Sequence, residues 1–284
     1  MPTIDRNRIT ANGLEFTYLE AGPSDGPLAL CLHGFPDAAP TWNPLLAALG
    51  DAGFHAVAPW LRGYAPTAVP ADGVYETGAL ERDAIALHEA LGGDGRAVII
   101  GHDWGAIATY GIACAAPDRF RRVVTMAVPP SGALGMGFLS YKQLQRSWYM
   151  FFFQSPLAEV AVAMNDLAFI DGLWADWSPG FDGAEHIAAV KDALRDPANL
   201  AAAIGYYRAT LGGGANTLTP GTPTQPVLYL HGRNDGCLGV DLTTNAAMFL
   251  SPESRVEVLE DCGHFLQVER PELVNQLVVD WVKS

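Results

Sequence analysis

Four cysteines in 284 residues are too few, and Cys31, Cys114, Cys237 and Cys262 too scattered, to staple a chain of this length. None stands in a C-x-x-C pair. Neither a metal site nor a disulfide is expected, and the thiols read as small buried hydrophobes. Basic residues are scarce too: 17 Lys and Arg face 31 Asp and Glu, a net charge of −14, with no basic stripe. Nucleic acid and anionic membrane reward clustered cations, so neither is an expected partner. Also missing is any apolar run of bilayer length, and the polar opening, residues 1–8, leads into no signal-type apolar stretch. The expectation is a cytoplasmic protein, monomer or homodimer, with no repeat and no low-complexity tract. What the chain does have is 49% apolar residues, enough for one large core with or without an inserted sub-domain.

Short apolar runs alternate with helical patterns. Residues 14–20 alternate apolar and polar positions over their first five, as an antiparallel strand at a sheet margin does. Leu28-Ala29-Leu30-Cys31-Leu32 is wholly apolar, the pattern of a strand covered on both faces, and it delivers His33-Gly34-Phe35-Pro36. Such a loop can bring its backbone close to a ligand, with the Phe35 N–H free to donate. A helix is expected over residues 42–49, a strand over 55–58, the turn Arg62-Gly63-Tyr64, and a helix over 76–91. Strands at 98–100, 122–128, 226–232 and 255–259 and a closing helix from Pro271 to Val282 complete the pattern. Strand-helix alternation of this kind predicts an α/β fold, a mostly parallel sheet with helices on both faces. Between residues 131 and 214 no buried-type strand occurs. That segment is helical and rich in Trp, Tyr and Phe, the composition of a lid over an apolar pocket, and Gly212-Gly213-Gly214 suits a return hinge.

The centre of the pattern is Val98-Ile99-Ile100-Gly101-His102-Asp103-Trp104-Gly105, which reads as strand, sharp bend and helix. In a G-x-S-x-G elbow the small flanking residues let the chain hold the central side chain above the sheet. Here the centre is aspartate. A carboxylate is ionised at neutral pH and can displace a leaving group from saturated carbon, giving an alkyl ester of Asp103 that histidine-activated water could hydrolyse. The plainer alternative is that Asp103 only caps the following helix. Asp235 could likewise be a turn residue and His264 a satisfied core histidine. All three nevertheless fall at strand ends, in the order nucleophile, acid, histidine, which is the order of α/β-hydrolases, and ligands gather at that end of open α/β sheets.

With His33-Gly34-Phe35-Pro36, Arg62-Gly63-Tyr64, Gly101-His102-Asp103-Trp104-Gly105, the Asp235 turn and Gly263-His264-Phe265, the chain resembles α/β-hydrolases of the epoxide hydrolase and haloalkane dehalogenase group along essentially its whole length. The resemblance implies a core domain from residues 1–130 and 215–284, with a helical cap, 131–214, inserted after the sixth strand. It makes Asp103 the nucleophile, His264 the base for water and Asp235 the residue that orients His264. The N–H groups of Phe35 and Trp104 would hold the oxyanion. No cofactor is implied, and the partners would be a small apolar epoxide and water.

An epoxide leaves as an alkoxide and needs a proton donor. Epoxide hydrolases of this group supply two lid tyrosines. The stretch around Tyr149 resembles the one that carries the first, and Tyr207 matches the second, with adjacent Tyr206 as its rival. Haloalkane dehalogenases generally have asparagine where Phe35 stands or recruit a second lid tryptophan. Fluoroacetate dehalogenases carry arginines where this chain has Trp104 and Ile107. Ala39 departs from the tryptophan of many epoxide hydrolases, and Ala65-Pro66-Thr67 from their glycine-serine turn. The expected activity is therefore epoxide hydrolysis to a vicinal diol, with a haloalkane or haloacid dehalogenase, or a non-catalytic binding protein of the same fold, as alternatives.

Overall fold

Eight strands form one sheet in the computed structural model, which describes residues 2–211 and 221–284. They are β1 (Asp5–Ala11), β2 (Leu14–Ala21), β3 (Leu28–Leu32), β4 (His55–Pro59), β5 (Val98–His102), β6 (Arg122–Met126), β7 (Val227–Gly232) and β8 (Arg255–Leu259). The spatial order is β1-β2-β4-β3-β5-β6-β7-β8. β2 pairs antiparallel with both neighbours, and every pair from β4 to β8 is parallel. Strands β3, β4, β5 and β7 are buried along their whole length, which is why their sequences are near-continuous apolar runs. Helices α1 (Asn43–Asp51) and α11 (Pro271–Lys283) pack on each other, as do α2 (Thr77–Ala90) and α3 (Trp104–Ala115), and the two pairs flank the sheet.

The outermost strand was not expected. β1 is polar and largely exposed, and it lies outside β2, so the margin anticipated at residues 14–20 is one strand in from the edge. An edge strand needs no apolar face, and charged side chains on it discourage pairing with other chains. The sequence signal that identifies this hairpin is Asn12-Gly13, whose two residues have φ of 47° and 74°.

Between β6 and β7 the described chain is helical: α4 (Ser131–Gly137), α5 (Tyr141–Arg146), α6 (Trp148–Phe152), α7 (Ala158–Trp177), α8 (Ala184–Leu194) and α9 (Pro197–Leu211). α7 is broken in the middle, where Asn165, Asp166 and Leu167 take left-handed φ of 52°, 55° and 60°. The glycines expected as a return hinge, Gly212 to Gly214, lie outside the described residues, as does the expected 214/215 boundary. A four-residue helix α10 (Leu266–Glu269) follows the last strand. Among the described residues no helix is long and apolar enough to cross a membrane.

Candidate active site

The chain turns sharply between β5 and α3, and Asp103 sits at the turn with φ 50° and ψ −117°. Few side chains tolerate that region, and such strain persists only where the surroundings enforce it. The flanking glycines are required by contact. A Cβ on Gly101 would fall 2.3 Å from the Gly105 carbonyl oxygen, and one on Gly105 would fall 2.0 Å from the Leu32 carbonyl oxygen. The Asp103 carboxylate makes no capping bond to α3. Its Oδ1 accepts the Phe35 N–H at 2.8 Å instead, so the capping alternative is not what the side chain does.

Phe35 is presented by the loop after β3. His33 fixes that loop: its Nδ1–H donates to the Gly34 carbonyl at 2.9 Å, and its Nε2 accepts the Leu61 N–H at 3.0 Å. Burial lowers the pKa of His33, in keeping with a neutral ring that spends both nitrogens on backbone. Gly34 allows the approach, since a Cβ there would lie 2.3 Å from Asp103 Oδ1. Trp104 is the first residue of α3, so its N–H is one of the helix-start donors with no intrahelical acceptor, at the positive end of the helix dipole.

Asp235 follows β7 and His264 follows β8. Asp235 Oδ1 accepts the N–H groups of Cys237 and Leu238 at 2.7 and 2.8 Å, which leaves Oδ2 to accept His264 Nδ1–H at 2.9 Å. The other imidazole nitrogen, Nε2, lies 3.7 Å from Asp103 Oδ2. Burial by itself would lower the His264 pKa. The charges of Asp235 and Asp103 outweigh it and raise the value to about 10. Asp103 moves the opposite way: burial pushes it up, and His264 and the Phe35 N–H hold it below the ordinary carboxylate value.

A second buried histidine-carboxylate pair, not anticipated from the sequence, stands behind the first. His102 Nε2–H donates to the His264 carbonyl at 3.0 Å, and its Nδ1 lies 3.3 Å from Asp37 Oδ2. Asp37 is in turn held by the Ala38 N–H at 2.7 Å and the Gln267 amide at 3.2 Å. His102 stands inside the quoted Gly101–Gly105 motif and Asp37 one residue past His33-Gly34-Phe35-Pro36, but nothing local in the sequence joins them. The pair anchors the backbone of His264.

The tyrosines come from the helices over the sheet. Tyr149 lies on α6, and its hydroxyl is 3.4 Å from Cys237 Sγ. Tyr207 lies on α9, buried, with no hydrogen-bond partner for its hydroxyl among the described residues. Their rings meet edge to face at 5.5 Å. Tyr206 faces away and donates its hydroxyl to the Arg62 carbonyl at 2.8 Å. Burial raises the pKa of all three phenols.

Asp103, Trp104, Tyr149 and Tyr207 border one cavity of about 410 Å³, and Tyr206 does not. Apart from Asp103, no carboxylate, lysine, arginine or histidine among the described residues borders it. Asp235, Cys237 and His264 offer possible metal-ligand atoms within 4.8 Å of one another. Two of them are already joined through the 2.9 Å bond, however, and burial pushes the Cys237 thiol well up, so the cluster is organised around a shared proton.

An elbow carrying a carboxylate, an acid after β7 and a histidine after β8 together define an α/β hydrolase, and residues 29–277 match the Alpha/beta hydrolase family. The chain belongs to that family. Among named relatives, it is similar to epoxide hydrolase A of Mycobacterium tuberculosis, 30% identical over 318 residues that cover 96% of each chain. It also resembles the AB hydrolase superfamily protein YfhM of Bacillus subtilis, 29% identical over 281 residues and 97% of each chain. Among solved structures, that of epoxide hydrolase A from Mycobacterium thermoresistibile superposes with a TM-score of 0.84 at 25% identity, covering 99% of both chains. An epoxide hydrolase from an endophytic Streptomyces gives 0.81 at 25% identity, over 99% of this chain and 95% of that one.

Proposed function

We propose that the protein is an epoxide hydrolase that forms vicinal diols through an ester on Asp103. The observation that carries this reading is the convergence on one apolar cavity of an ionised carboxylate and two buried phenols, one with its hydroxyl unpartnered among the described residues. Named relatives and structural neighbours that are epoxide hydrolases support it.

The two Asp103 oxygens are already distinguished. Oδ1 is held by the Phe35 N–H, and Oδ2, free of that bond, is the attacking atom. As Oδ2 bonds to an epoxide carbon, the ring C–O bond breaks and the departing oxygen takes a proton from Tyr149 or Tyr207. The helices α4 to α9 act as a lid that brings those phenols over the carboxylate and keeps the reacting centre dry. With Asp103 esterified, His264 gives its proton to the phenolate and, now neutral, removes one from water, which attacks Asp103 Cγ. Charge develops on Oδ1, between the N–H groups of Phe35 and Trp104. Collapse expels the diol, which keeps the former Oδ2, and leaves His264 protonated beside the regenerated carboxylate. Asp235 holds the imidazole by Nδ1–H so that Nε2 faces the ester.

The second reading, a haloalkane dehalogenase with the same ester, has one observation in its favour: Trp104 Nε1 is buried without a hydrogen-bond partner among the described residues. A halide could accept that N–H, but Phe35 supplies no second side-chain donor. Incubating His264→Gln protein with styrene oxide and weighing it tests the first reading. The expected result is a stable adduct on Asp103, and diol formation at the wild-type rate with no adduct would refute it. Halide release from haloalkanes by the wild type would favour the second.

A further inference from the structure

The cavity extends from Asp103 in one direction. Its floor is α3 and the turn that precedes it, where Asp103, Ile107 and Gly111 stand four residues apart. Eight residues at about 1.5 Å each make a floor of about 12 Å. Leu134 of α4 borders it on the lid side, and Thr77 and Thr210 border it as well. On the other side of the carboxylate stand packed rings. Phe35 and Phe153 are fully buried and Trp177 is 2% exposed, and the rings contact Tyr149 or Tyr207 at centroid distances of 4.9 to 5.7 Å. None of the three borders the cavity.

An epoxide held over Asp103 therefore has room for a substituent on one side only. The floor of about 12 Å and the cavity of about 410 Å³ take the three-membered ring and an arm of about ten carbons. The walls also exclude charge. A carboxylate or ammonium on that arm would be buried without an ionic partner, at a cost that apolar contacts elsewhere cannot offset.

Building on the epoxide-hydrolase reading, we infer that the substrate class is terminal epoxides with a single long, uncharged, apolar arm laid along α3, and that Ile107 sets how far the arm reaches. Ile107 lies one turn beyond Trp104, is partly open to the cavity, and stands about midway along its floor. A larger side chain there closes the far half.

The test is kcat/KM for the oxides of propene, hexene, decene and hexadecene, together with the symmetric internal oxide of decene, which has the same atoms in two shorter arms. Each methylene that enters the trough is worth up to about fourfold. The expected result is a rise of at least about tenfold from propene to decene oxide, a fall at hexadecene oxide, and at least about a tenfold preference for terminal over internal decene oxide. Ile107→Trp, and independently Leu134→Trp from the lid side, should bring the decene-to-propene ratio near unity. A flat series in the wild type, parity of the two decene oxides, or an unchanged ratio in both variants overturns the inference and leaves the reaction itself standing. If no epoxide, propene oxide included, is turned over, the epoxide-hydrolase reading and this inference fall together.

Discussion

His264 Nε2 lies 3.7 Å from Asp103 Oδ2, and each group holds the other in its charged form. Alkylation of Asp103 removes one of the two negative charges that keep the proton on His264. In the proposed mechanism the alkylation step thus lowers the affinity of His264 for its proton, as ester hydrolysis requires. His102, whose ring is 4.8 Å from His264, and Asp235 remain in place throughout. Acid should then slow ester hydrolysis before it slows alkylation, because Asp103 stays ionised after His264 in the ester has become protonated. Rapid quenching and mass measurement should show a larger fraction of alkylated protein as pH falls from 8 to about 5.5. A fraction that does not change with pH would mean His264 is not the base.

The same pair sets the response of stability to alkali. The folded His264 pKa, about 10, lies above the unfolded value, so its contribution is fully present below about 6.5. That contribution fades as pH rises from there and is gone above about 10. The difference in melting temperature between wild type and His264→Gln should therefore be largest near pH 6 and shrink towards pH 10. A constant difference would show that packing alone accounts for it.

The three tyrosines should separate cleanly. Tyr149→Phe and Tyr207→Phe each remove a donor from the cavity, and the double variant should lose on the order of 10²-fold or more in kcat on epoxides. Tyr206→Phe instead leaves the Arg62 carbonyl without its 2.8 Å partner. The expected cost there is about 1–3 kcal/mol of stability, read by urea unfolding, with kcat near wild type. An activity loss in Tyr206→Phe as large as in Tyr207→Phe would reverse the assignment.

Gly34→Ala places a methyl group against Asp103, 2.3 Å from Oδ1. Either Asp103 moves or the Phe35 N–H does, and both spoil the oxyanion position. Loss of one such donor typically costs about 10²–10³ in kcat, so activity should fall by that order while circular dichroism shows retained secondary structure. An active Gly34→Ala enzyme would place the oxyanion elsewhere.

Much of this was legible in the chain because it rests on local pattern. The apolar runs at β3 and β5, the glycines around Asp103 and the strand-end positions of Asp235 and His264 each follow from a few adjacent residues. Other features rest on docking. Tyr206 and Tyr207 point about 100° apart on one helix, and only the seating of α9 decides which faces the cavity. The contact between Asp37 and His102 joins the loop after β3 to the last residue of β5, and neither residue type announces a buried partner. β1 escaped because an edge strand needs no apolar face, although Asn12-Gly13 marked its turn.

Whether Asp103 becomes bonded to substrate is best decided by one turnover in heavy-oxygen water with enzyme in excess, followed by peptide mass measurement. Covalent catalysis puts the label in the Asp103 carboxylate and leaves the first diol unlabelled. Label in the diol, with none in Asp103, would mean that water attacks the epoxide directly.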